Sequence, residues 1–362
     1  MNPNRTVSIA QTFHSLVKTM AVVLSVLVLT ACSVGPTKDR SMTATQRPAT
    51  LQPGDTIMFI APAGPPREKN VRIAAERLES MGYRVILPDG FFARQGYLAG
   101  DDATRAAEFQ AAFADPEVDA VFPVTGGFGA TRILALIDFD AIAAQPKIFI
   151  GFSDITALHT ALHQQADLAT FHSPNPQWGL GSEKGMNPFA ERFFWQALTD
   201  PMGYVIKPAQ DNADTEAAEL PRTVVPGVAQ GPIVGGNLSV LHAMMGTPWE
   251  IQTAGKILYL EDVNESPYRV DRMLRTLKDG GKFDDVAGVL LGRFTKAEPD
   301  EDDGHTIDNV IDDYFGHAGF PVIAHFPAGH VSDNATLPLG VPAEMDADAI
   351  TLRILESPTV SP

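Results

Sequence analysis

The period of the hydrophobic positions changes along the chain, and the changes mark out elements. Apolar runs at 56–61, 83–87, 118–124 and 147–151 read as strands. Between them the spacing turns helical. Val71, Ala74 and Leu78 share one face of a helix over 67–81, with Gly82 as its stop. Further helices are predicted over 101–114, capped by Asp101 or Asp102, and over 130–137 and 154–164. Strands alternating with helices through short connections predict an α/β fold, with a parallel sheet covered on both faces. A second set of strands falls at 257–260, 288–291 and 321–325. Between the two sets, Pro201, Pro208, Pro221 and Pro226 stand among acidic residues, which suggests an interdomain crossing. The expected organisation is a Rossmann-like first domain over 51–200, a linker over 201–231 and a smaller α/β domain over 232–356. There is no internal repeat, and the acidic stretch at 297–304 reads as a solvated loop.

The first 32 residues follow a different pattern. Arg5 and Lys18 precede an apolar run from Ala21 to Leu29, and Leu29-Thr30-Ala31-Cys32 closes it. A basic region, a short apolar core and small residues before a break make a secretory signal. The run is about half of what a bilayer-spanning helix needs. The sole cysteine resembles the lipidated Cys of a bacterial lipobox, and Ser33 behind it resembles an outer-membrane sorting residue. The expectation is an exported periplasmic lipoprotein, held at the outer membrane through lipid on Cys32. A plain signal peptide is the alternative. Residues 33–50, rich in Ser, Thr, Pro and Gln, are expected to be a flexible tether.

Composition narrows the function. The chain has 362 residues, 44 % hydrophobic and 20 % charged, an ordinary globular profile. Lys and Arg number 27 against 44 Asp and Glu, a net charge of −17, which argues against nucleic acid as a partner. One cysteine allows no intrachain disulfide.

The candidate chemistry lies at strand ends, where ligands of open α/β sheets bind. In Gly151-Phe152-Ser153-Asp154 a strand turns sharply into a helix, which exposes a serine hydroxyl or merely caps the helix. Ile155 stands where the G-x-S-x-G pattern has its second glycine. The turn Thr125-Gly126-Gly127-Phe128-Gly129 can present backbone N–H groups to an anion. It reads as a phosphate cradle, an oxyanion hole or a simple tight turn, and it fits neither the P-loop nor G-x-G-x-x-G spacing. Glu261 ends an apolar strand, where a carboxylate needs a partner, and His330 follows another strand. His159 and His163 stand one helical turn apart without the Glu of a zinc-binding H-E-x-x-H, so they read as a core or surface pair, not a metal site.

The ordered motifs resemble the LD-carboxypeptidase family, serine peptidases that include muramoyltetrapeptide carboxypeptidases and microcin C immunity peptidases. They run from Ile60-Ala61-Pro62-Ala63-Gly64 through Gly126-Gly127-Phe128-Gly129-Ala130-Thr131-Arg132 to Gly151-Phe152-Ser153-Asp154-Ile155-Thr156-Ala157-Leu158. Thr170-Phe171-His172-Ser173-Pro174, Gly235-Gly236-Asn237-Leu238, Leu260-Glu261-Asp262 and Gly329-His330 follow in family order. The resemblance implies Ser153 as nucleophile, His330 as general base and Glu261 as the carboxylate that orients it. It implies an oxyanion hole from the N–H groups of Gly127 and Asp154, in a cleft between the domains. It implies acyl-enzyme catalysis without metal or cofactor, releasing terminal D-alanine from a murein tetrapeptide, and a possible homodimer. Because that substrate is a polycarboxylate and the chain is acidic, the cleft needs cations, and Arg132 and Arg269 are the candidates. Ion pairing on helix surfaces is their other reading. Thr125 stands where familiar members carry arginine, so specificity can differ. A peptidase for a microcin-type peptide–nucleotide and a non-catalytic wall-peptide-binding lipoprotein stay open as alternatives.

Overall fold

The computed structural model describes residues 45–208, 220–299 and 304–361. The expected signal segment, Cys32 and most of the expected tether lie outside the described residues. The first part of the chain supplies β1 (Thr56–Ile60), α1 (Glu68–Ser80), β2 (Arg84–Ile86), α2 (Asp102–Ala114), β3 (Ala120–Pro123) and the short α3 (Ala130–Ile133). It continues with α4 (Phe139–Ala143), β4 (Ile148–Gly151), α5 (Thr156–Ala166), β5 (Thr170–His172) and α6 (Pro188–Thr199). The second part supplies β6 (Val205–Ile206), β7 (Arg222–Val225), β8 (Val228–Asn237), α7 (Leu238–Ala243), β9 (Ile257–Val263), α8 (Pro267–Asp279) and β10 (Gly288–Thr295). It ends with α9 (Ile307–Phe315), β11 (Val322–Ala324), β12 (Leu337–Leu339), β13 (Pro342–Asp346) and β14 (Thr351–Ile354).

The expected α/β class is the observed one. One sheet has the order β12-β5-β4-β3-β1-β2, parallel from β5 to β2. The other has the order β6-β14-β13-β8-β9-β10-β11-β7, with β8 to β11 parallel at its centre. Alternation along each central strand sorts side chains into two apolar layers. Ile57, Phe59, Phe122, Ile148 and Ile150 face the layer of α1 and α6. Ile60, Val121 and Phe149 face the layer of α2 and α5. Both layers run on into the second sheet, through Ile257 and Tyr259 on one side and Leu258 and Leu260 on the other.

Four stretches differ from the sequence reading. The expected crossing at 201–231 contributes β6, β7 and the start of β8 to the second sheet. Its prolines flank these strands, so a turn-rich composition concealed edge pairing. Residues 45–50 at the end of the expected tether are pinned: Gln46 N–H donates to Asp167 O and Thr50 N–H to Val360 O. Backbone bonds of this kind have no signature in side-chain composition. Finally, β12 leaves the second part of the chain and pairs antiparallel with β5, Leu337 opposite His172. The predicted helix over 130–137 is a single α-helical turn followed by a 3-10 turn at Leu134–Leu136.

Candidate active site

The strand β4 ends at Gly151, whose φ of 140° lets Ile155 pack where a side chain would stand; a Cβ there would lie 2.9 Å from Ile155. Phe152 is extended, and Ser153 then takes a left-handed conformation with φ 63°. A non-glycine residue held there costs about 1–2 kcal/mol, so its surroundings must enforce it. They do so with four bonds. The carbonyl of Gly151 accepts from Ser173 N–H at 3.0 Å and from His159 Nε2 at 2.9 Å. The carboxylate of Asp154 accepts the N–H of Ala130 at 2.8 Å. Thr156 Oγ1 accepts the N–H of Asn237 at 2.9 Å, joining this turn to the second sheet.

The bond to Ala130 brings the glycine turn against the serine. A Cβ on Gly126 would lie 2.9 Å from Ser153 Cβ, 3.1 Å from its Oγ and 3.2 Å from Asp154 N, so only glycine fits. Gly127 follows with φ 106°. Asp154 sits in the first turn of its helix, where backbone N–H groups have no intrahelical acceptor. Burial pushes the Asp154 carboxyl up to about 6, against its bonds to the Ala130 and Gly129 backbone and the charge of Arg105.

Glu261 lies on β9 and is fully buried. Its Oε2 accepts from His330 Nδ1 at 2.7 Å. That bond assigns the ring proton to Nδ1 and leaves the Nε2 lone pair free. Gly329 permits the contact, since a Cβ there would stand 2.6 Å from Glu261 Oε2. The other oxygen, Oε1, accepts from Asn237 Nδ2 at 3.3 Å, and the same amide reaches Asp262 Oδ1 at 3.0 Å. Burial pulls the His330 pKa down, but the Glu261 charge and hydrogen bond, with Asp262, outweigh it and leave it raised. Burial, with the charge of Glu261, pushes Asp262 up to about 6. The imidazole of His330 packs on Phe152, centroids 4.8 Å apart, and so stands beside the serine turn.

The structure thus brings Ser153, Asp154 and Gly127 together at one turn pair, and His330 and Glu261 beside it. Arg132 and Arg269 are otherwise engaged. Arg132 forms a bidentate pair with Asp102, which also takes Arg105. Arg269 meets Glu265 at 3.6 Å and Tyr268 Oη at 3.1 Å. The ion-pairing reading describes both. Two contributors carried no role in the sequence reading. His159, read as half of a core or surface pair, supports the serine turn. Asn237 holds both acids from the end of β8, in register with Glu261 on β9, a placement that only the sheet order reveals. Among the described residues no cluster of three or more metal-ligating side chains occurs.

A strained serine between strand and helix, a glycine turn on its flank and an imidazole aligned by a buried carboxylate define a hydrolase-type site built from both sheets. The chain belongs to the LD-carboxypeptidase family: its N-terminal domain model matches residues 57–173 and its C-terminal domain model matches residues 230–345. A probable murein peptide carboxypeptidase of Bacillus subtilis is 42 % identical over 303 residues, covering 83 % of this chain and 91 % of that protein. The microcin C7 self-immunity protein MccF of Escherichia coli is 27 % identical, covering 85 % and 95 %. Among solved structures, a muramoyltetrapeptide carboxypeptidase from Oxalobacter formigenes has a TM-score of 0.74 at 30 % identity, covering 84 % of this chain and all of that one.

Proposed function

We propose that this protein is a serine LD-carboxypeptidase that releases terminal D-alanine from murein tetrapeptides. The observation that carries the reading is the 2.7 Å bond between His330 Nδ1 and Glu261, on an imidazole packed against Phe152. His330 Nε2 takes the Ser153 proton as Oγ attacks the carbonyl between the diamino acid and D-alanine. The oxyanion forms against the N–H groups of Gly127 and Asp154, each worth roughly 10²–10³ in rate. His330 returns its proton to the leaving amine, and a water then repeats the cycle to free the acyl group. The relatives named for murein peptides support the substrate. The test is D-alanine release from a diaminopimelate-containing tetrapeptide by the purified chain beside Ser153→Ala. Release by the wild type alone is expected. Equal release by both removes Ser153 as nucleophile.

One observation favours a second reading, cleavage of a peptide–nucleotide. The Arg67 guanidinium lies 4.6 Å over the half-exposed ring of Trp178, whose neighbour Gln177 donates to Thr125 Oγ1 at 3.2 Å. An aromatic face with a cation beside the glycine turn suits a nucleobase and its linkage. Competition by adenosine monophosphate against tetrapeptide hydrolysis separates the two readings. For location, the Leu29-Thr30-Ala31-Cys32 motif supports export and lipidation, and loss of membrane association in Cys32→Ala is the expected result.

A further inference from the structure

We propose that Lys296 receives a carboxylate of the peptide substrate beside His330, an inference that rests on the carboxypeptidase reading. Lys296 directly follows β10, the strand next to the one that carries Glu261, and is exposed there. Its backbone is left-handed, φ 52°, as is that of Asn264 beyond the end of β9, φ 64°. The two strand ends are tied, because Asn264 N–H donates to Thr295 O at 2.8 Å. Thr295 Oγ1 in turn lies 3.5 Å from the carbonyl of His330. The backbone that carries the lysine is therefore held left-handed beside the main chain of His330, a conformation that a lysine adopts only when its surroundings impose it.

The charge arrangement gives this placement its meaning. Four groups act around His330: Glu261 and Asp262 from β9, Lys296 after β10, and the buried His172 of β5, which desolvation keeps neutral. Lys296 alone among the charged ones opposes protonation of His330. A cation there works against a general base that must become imidazolium, unless an anion neutralises it in the complex. Among the described residues no carboxylate lies within ion-pair distance of Lys296, whereas Arg132 and Arg269 both have acids. A chain of net charge −17 repels a polycarboxylate substrate, and an ammonium with no acid in reach among the described residues offsets that locally. Binding of the substrate carboxylate then does two things: it anchors the peptide, and it lifts the opposition to imidazolium formation.

The test follows D-alanine release by the wild type, Lys296→Met and Lys296→Arg over pH 5.5–9, with the tetrapeptide and its three singly amidated forms. Lys296→Met is expected to raise KM for the tetrapeptide roughly tenfold with kcat within about threefold, and Lys296→Arg to restore most of the loss. The acidic limb of kcat/KM should move to higher pH in Lys296→Met, by about half a unit, because the free His330 loses its opposing charge. One amidated form should show no difference between wild type and Lys296→Met, and that form identifies the carboxylate. An unchanged KM, or an equal penalty on all four substrates, overturns the proposal while the carboxypeptidase reading stands. No release by the wild type removes that reading, and this inference with it.

Discussion

The carboxylate of Asp154 accepts the N–H of Ala130 at 2.8 Å, and so one side chain locks the serine turn to the glycine turn. The two N–H groups proposed to hold the oxyanion come from these two turns, and their separation is fixed by this bond. The bond is held by a carboxyl pushed up to about 6, so it has a pH signature. Between its ordinary value near 3.8 and about 6, the folded protein binds more protons here than the unfolded chain does. The contribution of this group to stability is therefore fullest below 3.8 and declines as pH rises through 6. Denaturant unfolding of wild type and Asp154→Asn from pH 4 to 7 should show the wild type losing ground as pH rises, by up to about 3 kcal/mol.

Glu261→Gln keeps the shape of the pair and removes its charge. His330 has a raised pKa and must be neutral to accept the serine proton, so wild-type kcat/KM should rise with pH through a limb above 6.5. The variant should fall about 10³–10⁴-fold, with its limb displaced to lower pH. A pH–rate profile that superimposes after scaling would show that Glu261 does not set the imidazole's charge.

Gly329→Ala should abolish turnover in a folded protein. The added methyl would meet Glu261 Oε2 at 2.6 Å, on a backbone with φ 111°. The buried carboxylate has to move, and the His330 bond goes with it. Circular dichroism should match the wild type, while D-alanine release drops at least 100-fold.

His159→Phe tests the support beneath the nucleophile. Phenylalanine keeps the edge contact to Phe149 at 5.3 Å and loses the bond to the Gly151 carbonyl. That carbonyl retains the Ser173 bond, so the loss of stability should be modest, about 1 kcal/mol. The expected result is kcat reduced about tenfold with KM unchanged, read in steady-state kinetics.

Much of this site was legible in the sequence, for definite reasons. Ser153 and Gly126 stand at strand-to-helix turns, and such turns need glycines and exposed polar residues that punctuate apolar runs. Glu261 was visible as a charge closing the run Ile257 to Leu260. The partner networks were not legible. Asn237 touches Glu261 through strand register, which depends on sheet order rather than on spacing along one strand. The partners of the two candidate cations were no easier to read. Arg132 and Arg269 fell in recognisable motifs; the pairing of Arg132 with Asp102 is set by how two helices meet, whereas that of Arg269 with Glu265 is a local i, i+4 contact. Lys296 has no motif around it. Its position follows from where β10 ends. Likewise β6 and β7 are too short, and too close to prolines, to stand out by periodicity.

The return of β12 to pair with β5 gives the molecule a mechanical character. His330 is followed, a few residues on, by a strand laced into the same sheet that launches Ser153. The halves of the chain are therefore not two rigid jaws on a hinge. Parting the imidazole from the serine by a wide swing would tear a ladder of buried backbone bonds. Heating should melt both halves in one step, since the first sheet loses β12 without the second part of the chain and both apolar layers run through both sheets. A shortened chain that stops after α6 would leave β5 as a bare edge, open to pairing with any neighbouring strand.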